Sequence, residues 1–290
     1  MPPRSHTLLP VLGLFGVAVI LGAGHVCARF AFANGVNVLT AATVRSLLAA
    51  TLLLALLRAR RTVVLPLPRE FRGTLVLGLF IAAQTVMIQV AVALLPVAIA
   101  LLVFYTYPIF TGVASILLGD ERFSWRLAAT LVAAFVGLAL VLGVNAQPVN
   151  PLGVAAALGA SLSFTAAVVL TQRLAPGVGA PLRTFFMLAT AAAVFVAAAV
   201  VTADVRVPAG GAGAFGLAGL AAFYAAGIIG LFLLLPLLGP VQTAIVLNLE
   251  PVVVAVIAWA ALGEALTPTQ ILGAIMVVAA VMLFQVTARR

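Results

Sequence analysis

Apolar residues run along this chain in blocks of roughly 20, too long and too continuous for strands or for the one-sided helices of a soluble protein. Prolines, glycines and clustered arginines divide them into ten predicted helices, at about 8–30, 39–57, 73–93, 97–118, 127–143, 152–172, 184–203, 213–235, 241–262 and 269–287. Membrane-spanning strands would instead alternate weakly over about ten residues. A bilayer-crossing helix takes roughly 20 residues, so 290 residues are consumed by ten spans and short loops. The first block follows Arg4 and has small residues near Ala23, but its length and the nine spans behind it make it a span rather than a cleavable signal.

Composition agrees: 65% of residues are hydrophobic, 7% are charged and the mean hydropathy is +1.32. The single cysteine, Cys27, excludes an intrachain disulfide, and no Cys/His spacing suggests a metal. Neither metal nor soluble cofactor is expected. The net charge of +9 comes from 15 basic residues, all arginine, against 6 acidic ones. In so apolar a chain this excess belongs beside lipid headgroups, not on nucleic acid. With the N-terminus in the cytoplasm, 12 arginines fall inside (Arg4, Arg58, Arg60, Arg61, Arg69, Arg72, Arg122, Arg126, Arg173, Arg183, Arg289, Arg290) and three outside (Arg29, Arg45, Arg206). Both termini are therefore expected to be cytoplasmic, and the Arg-only, Ala-rich composition suggests a GC-rich bacterial genome.

The two halves repeat each other. The fourth predicted span reads Pro108-Ile109-Phe110 and ends Leu118-Gly119-Asp120-Glu121; the ninth reads Pro251-Val252-Val253 and ends Leu262-Gly263-Glu264, both at an offset of 143. Leu21-Gly22-Ala23 matches Leu158-Gly159-Ala160, and Arg45 matches Arg183, at offsets of 137 and 138. Four matches in one order predict a duplication, 1–147 and 148–290, of five helices each. Because five is odd, the second copy enters from the opposite side, which gives inverted repeats, a construction of many secondary transporters. The expected fold is an all-α integral membrane protein whose ten helices form two inverted five-helix repeats around a central cavity.

The ten spans, the duplication, the prolines of the fourth and ninth spans with their Gly-Asp-Glu and Gly-Glu endings, and the arginines opening the second and seventh spans resemble the EamA-type families of the drug/metabolite transporter superfamily. The resemblance covers essentially the whole chain. It implies an inner-membrane carrier, often an exporter of amino acids, aromatic ones among them, with a cavity between two five-helix bundles. The small four-helix drug exporters of that superfamily carry a glutamate in the first helix. This first span has no acidic residue, so their proton/drug exchange does not carry over.

Ionisable and polar groups at membrane depth supply the candidate substrate-binding residues. Glu250 precedes Pro251, which lacks an N–H and frees the carbonyl of Leu247; carboxyl and carbonyl together suit an ammonium or a proton. Asn248 points about 200° away on a regular helix, so both line one cavity only if the helix is distorted; Trp259 would share its face. The repeat counterparts are Tyr105, Tyr107 and Pro108, with Pro108 freeing the carbonyl of Phe104. Gln84, Tyr224 and His25 complete the set. Gln89 reads as interhelical glue; Ser161, Ser163 and Thr165 are expected to bond their own helix backbone. Asp120, Glu121, Arg122 and Arg126 read as a solvated cluster, and Glu264 takes the equivalent place outside. The expected partners are a small-molecule substrate and the bilayer, with the protein a monomer or homodimer. Drug or nucleotide-sugar transport is the alternative within carriers. A membrane enzyme lacks a phosphate loop with lysine or a zinc helix, and a channel would conduct without saturation.

Overall fold

The computed structural model describes residues 8–60, 68–143, 149–262 and 265–287. Twelve helices follow in order: α1 (Leu8–Ala33), α2 (Val38–Ala59), α3 (Pro68–Leu94), α4 (Val97–Phe104), α5 (Tyr107–Leu117), α6 (Trp125–Val141), α7 (Pro151–Leu174), α8 (Ala180–Thr202), α9 (Gly210–Leu238), α10 (Pro240–Leu247), α11 (Leu249–Leu262) and α12 (Pro268–Thr287). They make ten spans, because α4 with α5 and α10 with α11 are each one interrupted span. Nine of these are long and apolar enough to cross a membrane among the described residues. The tenth, α6, has 17 residues and is about 25 Å long, a mismatch that a thinner bilayer or the tight partner α12 accommodates.

Local sequence accounts for the ends. Asn37, Ser124 and Asn150 cap α2, α6 and α7 by accepting from the backbone N–H of Thr40, Leu127 and Leu152. Gly239, at φ +80°, turns α9 into α10 in a conformation that a side chain would resist. Pro108 stands in the first turn of α5, where its missing N–H costs nothing.

Hydrogen bonds between loops reveal the relation of the halves. At one face the α1–α2 turn is tied to the α8–α9 segment: Asn37 Nδ2 donates to the Asp204 carbonyl at 2.7 Å, Ala209 N–H to Asn34 at 2.8 Å, and Arg206 N–H to Thr40 Oγ1 at 2.9 Å. At the opposite end of the 23-residue α8 lies the end of α7, where Gly177 N–H donates to Glu70 Oε1 at 2.9 Å. Thus α1 ends at one face and α7, its counterpart, at the other. Helix packing repeats under the same exchange: α1 against α9 mirrors α7 against α3, and α2–α8 and α6–α12 pair with their own counterparts.

Glycines set these distances. A Cβ on Gly273 of α12 would lie 2.5 Å from the Gly137 carbonyl oxygen of α6, and one on Gly137 would lie 2.9 Å from that of Gly273. Gly216 and Gly219 bring α9 onto α1 at Ala31 and Cys27. The buried core runs through both copies, with Leu14, Leu53, Leu77, Leu138, Leu188, Leu231 and Ile245 fully enclosed.

Candidate functional site

The fourth and ninth spans are broken near their middles. α4 stops at Phe104; Tyr105 and Thr106 close it with turns to Leu101 and Val103, and Thr106 accepts the first bonds of α5 from Ile109 and Phe110. In the second copy the break is a single residue, Asn248, between α10 and α11. Each break sits two or three residues before the proline, because the proline offers no N–H to the carbonyl four residues back and its ring crowds that carbonyl. α5 and α10 pack against one another, so the two breaks meet inside the protein.

Across the second break, His25 Nε2 shares a 2.7 Å hydrogen bond with Glu250 Oε1. The contact joins α1 of the first copy to α11 of the second. α1 reaches α11 through Gly22, where a Cβ would stand 3.0 Å from Val253 and 3.5 Å from the Glu250 carbonyl. The Glu250 side chain is 12% exposed and that of His25 54%.

The first break is aromatic and closed. Tyr105 and Tyr107 are buried, with ring centroids 5.9 Å apart, and Phe164 meets Tyr107 edge-on at 4.8 Å. Hydroxyls of α7 bond to it: Thr106 Oγ1 and Ser161 Oγ are 3.0 Å apart, and Thr165 Oγ1 donates to the Tyr107 carbonyl at 3.2 Å. Ser161 and Thr165 therefore bond across helices and not to their own backbone as expected, since one face of α7 lies against the break. Ser163 instead faces Met87 Sδ at 3.9 Å.

Gln84 and Tyr224 are half-buried and belong to a second polar group. Tyr224 lies beneath Arg45, whose guanidinium carbon is 4.3 Å from the ring centroid. Arg45 Nη2 donates to Thr85 Oγ1 at 3.3 Å, and Thr85 contacts Gln84 Oε1 at 3.5 Å. Arg45 and Thr85 are thus brought to the candidate residues by the fold; the signal in sequence was the charge inside a span, hidden by its assignment to an outer end. Asn248 is buried beside Glu250's helix, whereas Trp259 is 55% exposed, because the break at Asn248 resets the helical phase between them. Asp120 of the acidic cluster pairs with Arg173, at 2.7 Å; Glu264 lies outside the described residues.

Both halves match the profile of the "EamA-like transporter family", at residues 8–143 and again at 151–285. The chain belongs to that family, a class of multi-pass membrane transporters. One solved structure, described as "Crystal structure of protein", superposes with a TM-score of 0.76 over 96% of this chain and 98% of that one, at 19% identity, which shows the shared fold. No curated protein matches the chain in sequence.

Proposed function

We propose that this chain is a secondary carrier that exports a small metabolite, an amino acid, by alternating access between its two inverted copies. The observation that carries the reading is the His25–Glu250 contact at the break of the ninth span, which links the two copies. Interrupted helices at the interface of inverted repeats expose backbone acceptors at midplane, and a carboxyl beside them suits a substrate ammonium. Separation of α1 from α11 would open the site, and an ammonium could take the place of His25 on Glu250. In this reading Tyr105, Tyr107, Gln84, Tyr224 and Asn248 line or support the site, Pro108 and Pro251 hold the breaks, residues 1–147 and 148–290 are the moving copies, and both termini face the cytoplasm of a bacterial inner membrane.

The test is flux of labelled amino acids in liposomes, with and without a pH gradient, for wild type and Glu250→Gln. Saturable flux, reduced about tenfold or more in a folded Glu250→Gln protein, is expected from loss of a charge-assisted contact. Equal flux in the two proteins would remove Glu250 from the site, and no amino-acid flux in wild type would turn the reading to the drug or nucleotide-sugar branch.

A further inference from the structure

Arg45 is an arginine inside a membrane span with weak company. It is the eighth residue of α2, about 10 Å below the end of that helix. It meets the Tyr224 ring face and one hydroxyl, at 3.3 Å, and its Nε is buried with no hydrogen-bond partner. Among the described residues no carboxylate pairs with it. Arginine remains charged at any ordinary pH, and a charge at this depth is costly unless it is paired. Its repeat counterpart, Arg183, stands instead in the first turn of its helix, is 4% exposed and gives Nη1 to the Ala175 carbonyl at 3.3 Å.

The surroundings of Arg45 point to a solute. His25 is eight residues from the end of α1, about 12 Å below the same face, which is close to the depth of Arg45. α9 joins the two groups: Tyr224 supports Arg45, while its backbone N lies 3.8 Å from where a Cβ on Gly24 would stand, next to His25. His25, which holds Glu250, and Arg45 thus stand at similar depth on two helices, α1 and α2, that both pack on α9.

We propose that Arg45, stacked on Tyr224 and steadied by Thr85, receives a carboxylate of the transported solute. This rests on the carrier reading above and narrows its substrate. The planar guanidinium offers two parallel N–H groups to a carboxylate, and the ring beneath it holds the plane in place without neutralising it.

The experiment measures binding apart from transport. Thermal stabilisation of the purified, detergent-solubilised protein is titrated with L-phenylalanine, L-phenylalaninamide, 3-phenylpropionate and 3-phenylpropionamide, for wild type, Arg45→Gln and Arg45→Lys. Each acid is expected to bind wild type about tenfold or more tightly than its amide, Arg45→Gln to lose that preference, and Arg45→Lys to keep part of it. Acid and amide binding alike in wild type overturns the proposal even if neither variant folds. So does a folded Arg45→Gln protein that still prefers the acid, or the absence of stabilisation by any of the four. Acid-selective binding without amino-acid flux in liposomes would instead sink the amino-acid reading and leave the Arg45 site standing. Flux that treats phenylalanine and its amide alike would do the reverse.

Discussion

Glu250 gains its partner from 225 residues away, so the value of the contact is open to a double-mutant cycle. His25→Ala, Glu250→Gln and the double variant, melted in detergent, should give a coupling of about 1 kcal/mol, the usual size for a hydrogen bond with one partner accessible to solvent. Additive effects would mean that the pair contributes nothing to holding α1 on α11. Thr165 is a stricter case because it is buried. Thr165→Val keeps the shape but removes the hydroxyl that donates to the Tyr107 carbonyl, and a loss of about 1 kcal/mol is expected in the same assay. At this scale the sequence was only partly legible. A charged or amide group within an apolar block announces itself, which is why Glu250, His25 and Gln84 stood out. The partners of Ser161, Thr165 and Arg45 did not, because hydroxyls have a local alternative in their own helix and nothing in a span's own residues states which helix stands opposite.

Helices as units were easier to read. Length and apolarity place all ten spans within a few residues, since a bilayer allows few other ways to satisfy the backbone. Prolines 108 and 251 announced disturbance, but not that each span would divide in two, nor that α7 would bond to Thr106 and Tyr107 at the first break. Helix contacts invite a paired test. Gly273→Ala drives a Cβ to 2.5 Å of the Gly137 carbonyl and should destabilise the α6–α12 contact by about 1–3 kcal/mol. Gly16→Ala in α1 meets nothing within 4 Å and should be neutral or stabilising by up to about 1 kcal/mol, the helix-propensity gain. Equal melting temperatures for the two variants would show that the α6–α12 approach is not tight.

For the whole molecule, the decisive property is that equivalent segments face opposite ways. In a Cys27→Ala background, a cysteine at Asn34 and another at Gly179 occupy the turns after α1 and α7. A membrane-impermeant maleimide added outside should label the first and spare the second. Labelling of both from one side would contradict the inversion. The duplication was legible because two copies of one pattern constrain each other. Its divergence was not, since motif matching rewards what the copies share.

That divergence decides where the gene can drift. The position matching His25 in the second copy is Leu162, and the one matching Glu250 in the first is Tyr107, so proton-bearing groups stand at one break and a plug of rings at the other. Around Phe104 and Phe164, substitutions that conserve volume should be tolerated, whereas at His25 and Glu250 no swap of size for size preserves what the residues do. A random-mutagenesis library selected for growth should therefore be permissive in one half of the centre and barren in the other, although both halves descend from one ancestor.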